Sequence, residues 1–223
     1  GKNKCDVVID RFLKKDTESK SEMDFVFKDG TKRLTYISHF RRVVLDRTGF
    51  VVKHIEKSPS FQGLTTDGEY GIEDARITKF RDRYLMTYVA LSNVGNVSTN
   101  LAVSKDCLKW ERRGIIFRMQ NKDVVIFPEK VNGKYVAFNR PEGNFQFSPP
   151  KIWISFSEDL KLWGNSRPVV LSVRGHWDYA RVGAGAPPIR TEKGWLLIYH
   201  GVTEHPKKPK GVEEFMKKLV GKS

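Results

Sequence analysis

The sequence predicts an all-β chain built as a β-propeller, on three observations. A set of motifs returns about every fifty residues, each return breaks into short β-type segments separated by turn residues, and no sustained helical periodicity occurs between residues 25 and 203.

The repeat is clearest around its aromatic strands. "DRYLMTY" at 82–88 matches "GKYVAFN" at 133–139 and "KGWLLIYH" at 193–200, so Tyr84, Tyr135 and Trp195 are equivalent. "SKDCLKW" at 104–110 matches "SEDLKLW" at 157–163, which pairs Trp110 with Trp163. A fainter copy is "DGTKRLTY" at 29–36. Each unit reads as a short strand, a turn, an aromatic strand, a loop, an apolar strand, then Ser-x-Asp and Trp. Four strands at this period is the pattern of a propeller blade, and an irregular β-sandwich is the competing reading. The sequence supplies one weak blade, two complete blades and a fourth that stops after "GWLLIYHGVTEH", so the ring is incomplete. An open ring leaves strand edges unpaired; pairing with a second copy, a homo-oligomer, is therefore an expectation.

The expected organisation is an N-terminal segment over 1–24, a partial propeller over 25–205 and a basic tail over 206–223. "CDVVIDRFLKK" and "GVEEFMKKLV" near the two ends read as short amphipathic helices or solvated tails.

Composition narrows the partners. With 40 Lys and Arg against 26 Asp and Glu, the formal net charge is +14, which suits an anionic partner. The positive charge is dispersed, with its densest run at Lys207–Lys210, and no basic helix or nucleic-acid signature accompanies it. Nucleic acid is therefore not expected. No apolar run reaches the roughly 20 residues that span a bilayer, so no membrane partner is expected. Cys5 and Cys107 cannot build a disulfide framework and fit a reducing compartment, hence a cytoplasmic expectation. The chain starts at Gly1 rather than Met, so the native start need not be included.

In a propeller the innermost strands line the central pocket. Arg140 and His200 each lie five residues beyond the equivalent Tyr135 and Trp195, so they face one axis. Lys122 precedes "VVIF", Arg181 opens the Gly/Ala-rich "RVGAGAP", and Asp74 opens the same element in "GIEDARI". Strand alternation sends Glu73 to the face opposite Asp74 and puts Arg76 beside Asp74. Glu73 then reads as structural, and Arg76 as a partner of Asp74 or of a ligand. Inverting hydrolysis of a glycoside needs a second carboxylate to activate water. Phosphorolysis instead needs cations that hold an anion beside the sugar. One acid with Lys122, Arg140, Arg181 and His200 fits phosphorolysis better. No metal-ligand spacing is present, so no metal is expected, and "GAGAP" lacks the phosphate-loop pattern. Tyr70, Trp177 and Tyr179 flank the motifs and are candidates for stacking on a sugar ring.

"GIEDARIT", "NKDVVIFPEKVNGKYVAFNRP" and "RVGAGAPPIRTEKGWLLIYHGV" together resemble glycoside hydrolase family 130, the β-mannoside phosphorylases and their relatives. The resemblance runs from about Thr35 to Val202. It implies a five-bladed β-propeller that phosphorolyses β-mannosides, either β-1,4-mannosyl-glucose or β-manno-oligosaccharides, with inversion to α-mannose 1-phosphate. It implies Asp74 as the general acid, acting through the mannose 3-hydroxyl, and Lys122, Arg140, Arg181 and His200 as the phosphate ligands. Arg181 stands where the family usually has Lys. Arg76, Tyr70 and Tyr179 are assigned to the substrate. Inorganic phosphate is the co-substrate, with no further cofactor. The same-family alternative is a β-mannoside hydrolase; the alternative of another class is a catalytically silent carbohydrate- or anion-binding propeller.

Overall fold

The repeat folds as two antiparallel meanders of four strands each, in a computed structural model that describes residues 11–20, 24–65, 67–118, 120–142 and 148–203. The first meander comprises β6 (Ile72–Phe80), β7 (Arg83–Ser92), β8 (Asn96–Ser104) and β9 (Glu111–Phe117), in that order across the sheet. The second comprises β10 (Asn121–Ile126), β11 (Tyr135–Pro141), β12 (Ile152–Ser157) and β13 (Gly164–Val170). No α-helix occurs among the described residues.

Ahead of these lie a three-stranded sheet and a separate hairpin, where the sequence suggests one weak blade. The sheet is β1 (Thr17–Lys20), β2 (Asp24–Phe27) and β3 (Lys32–Leu34), and the hairpin is β4 (Val43–Leu45) with β5 (Val52–Ile55). After the second meander comes one long hairpin in two parts. Its outer part pairs β15 (Ile189–Thr191) with β16 (Gly194–Leu196), and its inner part pairs β14 (Arg181–Ala184) with β17 (Tyr199–Val202). Residues 11–13 are irregular and Lys14–Asp16 form a 3-10 turn, not the start of a longer helix. The rest of the N-terminal helix candidate, the C-terminal one and Lys207–Lys210 lie outside the described residues. No helix among the described residues is long and apolar enough to cross a membrane.

Local sequence explains the meanders. Asn132 and Gly133, at φ of 49° and 77°, make the tight turn that joins β10 to β11, since Asn-Gly readily takes the left-handed pair that matches strand twist. The two Ser-x-Asp copies build the same turn. Ser104 Oγ accepts the Cys107 N–H and Ser157 Oγ the Leu160 N–H, both at 2.9 Å. Asp106 and Asp159 each accept two backbone N–H groups further on, and those bonds hold both carboxyls below the ordinary range.

The core lies between the sheets. Phe80, Leu85, Leu101, Ile116 and Phe117 of the first meander meet Val124, Ile126 and Ala137 of the second, with Trp163 packed alongside. Its equivalent, Trp110, serves the preceding seam beside Ile72, Tyr88, Phe40 and Phe61. β10 leads its sheet and has a ladder partner on one side only. Buried threonines of the first meander satisfy carbonyls of β10: Thr78 to Ile126 at 2.8 Å, Thr87 to Val124 at 2.6 Å and Thr99 to Asn121 at 2.7 Å. Unpaired backbone carbonyls are costly when buried, so these hydroxyls lock the seam.

The loop into β6 is fixed from below. Asp67 accepts the Tyr88 hydroxyl at 2.8 Å and an Arg112 N–H at 2.7 Å, while the Arg112 guanidinium lies 4.0 Å over the Phe61 ring. Burial, reinforced by Asp67, pushes the Tyr88 phenol far above its usual value and keeps it a donor.

Candidate active site

The leading strands β6 and β10 carry the same irregularity. Glu73 pairs with Val89 and Arg76 with Thr87, so three steps along β6 match two along β7. Lys122 pairs with Arg140 and Val125 with Phe138, again three steps against two. Each strand therefore holds one extra residue, a β-bulge. At each bulge an aspartate takes the left-handed conformation, Asp74 at φ 55° and Asp123 at φ 51°. Aspartate tolerates this region better than most side chains.

The bulges overturn two sequence expectations. Simple alternation separates Glu73 from Arg76, but the extra residue returns them to one face, because their partners Val89 and Thr87 are two apart. Across the two units, Glu73 corresponds to Lys122 and Asp74 to Asp123, rather than Asp74 to Lys122. The corresponding pair then meets directly: Lys122 Nζ lies 2.8 Å from Glu73 Oε1.

Asp123 is the hub. Its carboxylate is 5% exposed and receives Arg140 Nη1 on Oδ2, with His200 Nε2 at 3.2 Å on the same oxygen. Arg76 Nη2 stands 3.8 Å from Oδ1 and Arg76 Nε donates to the Gly185 carbonyl at 2.8 Å. Arg76 thus turns to Asp123 and the following hairpin, not to Asp74. Arg140, itself 5% exposed, also gives Nε and Nη2 to Glu142 at 2.6 Å, and its Nη1 lies 3.4 Å from His200 Nε2.

The inner hairpin brings His200 there. Gly183 pairs with His200 and Arg181 with Val202, so Arg181, Gly183 and His200 share one face. An ideal Cβ on Gly183 would fall onto Asp123 Oδ2 and Arg140 Nη1 and come within 2.7 Å of His200 Nε2. Glycine is required because three polar groups occupy that space. Arg181 is exposed at the open side, and the His200 side chain is 47% exposed.

The three carboxylates of "EYGIEDARIT" have three fates. Glu69 accepts the Asn93 N–H at 2.6 Å, Glu73 pairs with Lys122, and Asp74 is exposed between Glu73 and Arg76, the two residues that touch the cluster. The predicted arrangement of one acid against free cations is corrected: Glu73, Asp123 and Glu142 interleave with Lys122, Arg140, Arg76 and His200. Tyr70 is 44% exposed, and Tyr179 is half-buried with its N–H on the His176 carbonyl at 3.2 Å. Trp177 stacks on Tyr199 at 5.7 Å and covers Gly201, on the hairpin face turned away from His200. It does not join the cluster.

Sequence reasoning passed over Asp123, Glu142 and Gly183. The signal for Asp123 is present in retrospect, since "EDARI" and "KDVVI" share Asp-x-x-Ile.

Two four-stranded meanders thus set an open carboxylate beside a knot of arginine, histidine and lysine at their leading strands. Residues 34–212 match the family model described as β-1,4-mannooligosaccharide phosphorylase. The chain belongs to this family, glycoside hydrolase family 130. It is 39% identical over 180 residues to a β-1,2-mannobiose phosphorylase of Listeria innocua, covering 79% of this chain and 48% of the relative. It is 38% identical over 172 residues to a 1,2-β-oligomannan phosphorylase of a Thermoanaerobacter species, covering 76% and 55%. A β-1,4-mannooligosaccharide phosphorylase of Ruminococcus albus is 45% identical over 84 residues, 38% of this chain and 25% of the relative. Among solved structures, the Listeria innocua β-1,2-mannobiose phosphorylase in complex with β-1,2-mannobiose superposes with a TM-score of 0.73 at 34% identity, over 87% of this chain and 55% of that one. The chain thus spans about half the length of the relatives it matches most extensively.

Proposed function

We propose that the protein phosphorolyses β-mannosides with inversion, producing α-mannose 1-phosphate and a shortened sugar. A phosphate oxygen bonds to the anomeric carbon as the glycosidic C–O bond breaks. The departing oxygen keeps the bonding pair and takes a proton that originates on Asp74 and passes through the mannose 3-hydroxyl. Arg181 and His200 present open donors to the phosphate. Lys122 adds the ammonium it shares with Glu73, and Arg140 contributes the N–H groups not committed to Glu142 and Asp123. Arg76, Tyr70 and Tyr179 border the sugar. Phosphate is the co-substrate, and the step as written draws on no other cofactor.

The observation that carries this reading is the pairing of every carboxylate in the cluster except Asp74. Glu73, Asp123 and Glu142 are each held by a cation, which leaves no second free carboxylate among the described residues of the cluster to activate water, as inverting hydrolysis needs. The family and the names of its phosphorylase relatives support the same reaction. The two relatives aligned over the longest stretches are named for β-1,2 linkages, so β-1,2-mannobiose is the substrate to try first and β-1,4-mannosides the second. We also place the two meanders as consecutive blades of a five-bladed propeller, a reading supported by their shared strand order, bulge and turn.

The test is incubation with β-1,2-mannobiose, with and without inorganic phosphate. Mannose 1-phosphate formed only with phosphate is the expected result; free mannose released without phosphate would overturn the proposal.

A further inference from the structure

We propose that Asp123 is a positioning residue that presents His200 and Arg140 to the attacking anion. This rests on the reading of the site as a phosphate pocket. The carboxylate carries the same sign of charge as phosphate and is spent on Arg140 and His200, so it is not itself a contact for the anion. It instead ties together three separate elements: Arg76 from β6, Arg140 from β11 and His200 from β17. Arg140 has a second anchor in Glu142 and Arg76 a second anchor in Gly185. Among the described residues His200 has no second acceptor of this kind: its ring meets Asp123 and, at 3.4 Å, another donor, Arg140 Nη1. Removing Asp123 would leave the half-exposed imidazole beside a cation with nothing to orient it.

The geometry also fixes which nitrogen faces the ligand. Nε2 lies 3.2 Å from Asp123 Oδ2 and beside the Arg140 guanidinium, which has no lone pair to offer. Nε2 therefore carries a proton and donates it to Asp123, and Nδ1 is left for the open side. With Nε2 held by Asp123, a proton taken up at Nδ1 is donated to an oxyanion on the open side, the arrangement by which an outer carboxylate sets the tautomer of a working histidine. Gly183 is the other half of the device. Its missing side chain lets the hairpin close until the three polar groups meet, so any larger residue drives His200 from Asp123.

The test uses the 223-residue chain and inorganic phosphate, with binding measured by calorimetry without sugar. Asp123→Asn is expected to weaken phosphate binding roughly 10–100-fold, by analogy with the loss on removing the carboxylate partner of a metal-ligating histidine. The KM for phosphate should rise in parallel, while the KM for β-mannoside stays within about twofold and thermal melting still shows a folded chain. Gly183→Ala should reproduce the loss. In an Asp123→Asn background, His200→Asn should add less than about threefold, because coupled residues are not additive. A second readout, made on the wild-type chain, comes from nitrogen NMR of the histidines, with the His200 signals assigned by their loss in His200→Asn. Phosphate should shift Nδ1 while Nε2 stays protonated. Phosphate affinity within about twofold of wild type in folded Asp123→Asn, or Nε2 as the responding nitrogen, would overturn the inference. A wild-type chain that binds phosphate yet forms no mannose 1-phosphate would remove the proposed reaction and leave this inference standing; one that binds no phosphate would remove both.

Discussion

Asp74 and Asp123 occupy the same place in two successive copies of one structural unit, and they have been put to opposite uses. Both sit at the bulge of a leading strand in a left-handed conformation. Asp74 is exposed, with neighbours that turn away to the cluster. Asp123 is buried under Arg76, Arg140 and His200. The residue one step earlier explains much of the difference: Glu73 in the first copy and Lys122 in the second pair with each other across the seam. Repetition supplies two equivalent carboxylates, and the side chains around each decide whether it remains free for chemistry or becomes a support.

The largest expected effect follows from the free member. Asp74→Asn should lower kcat for β-mannoside phosphorolysis by about 10²–10⁴-fold, the usual contribution of a general acid, with the melting temperature unchanged. Steady-state kinetics beside thermal melting checks both halves, and retained kcat would break the assignment. The supporting member should behave in reverse under urea denaturation. Asp123→Asn removes the negative charge from between Arg140, Arg76 and His200 while Glu142 still holds Arg140, and should cost about 1–3 kcal/mol, whereas Asp74→Asn, which keeps the tolerance for a left-handed backbone, should fall within about 0.5 kcal/mol. Equal costs at the two sites would erase the contrast drawn here.

How much of this was legible in the sequence depends on the range of the interactions. The meanders, the Asn132-Gly133 turn and the twin Ser-x-Asp turns are set by neighbours within a few residues, and the repeat announces them. Arg140 and His200 could be placed together because the repeat carries both to one axis. The bulge could not be read, because a single extra residue in a strand leaves no compositional mark, yet it changes which face Glu73 and Arg76 share. Asp123 was hidden for the same reason: its partners come from β6, β11 and β17, far apart in the chain. Trp177 looked like a sugar platform by proximity in sequence, and the register of the inner hairpin puts it on the reverse face.

Smaller effects probe the seam between the two copies. Thr87→Val removes the hydroxyl that Val124 accepts at 2.6 Å and strands a buried carbonyl, so urea denaturation should show a loss of about 1–3 kcal/mol. The smallest effect serves as a control, since the two copies should respond alike where they are built alike. Asp106 and Asp159 have carboxyls held below their ordinary value of 3.8 by backbone N–H groups. Their contribution is present above that value and is lost as pH falls through the lowered folded-state range. Asp106→Asn and Asp159→Asn should each reduce stability at neutral pH, and both differences from wild type should shrink on acidification, as read by denaturation at a series of pH values.

The most direct test of the central claim is a crystal structure with inorganic phosphate bound. The account predicts the ion on the open side of the knot, touching Arg181, His200 Nδ1 and Lys122, with Asp123 behind them and Asp74 across the space left for the sugar. Phosphate held elsewhere, or an Asp74 side chain directed away from it, would contradict the division of labour between the two aspartates.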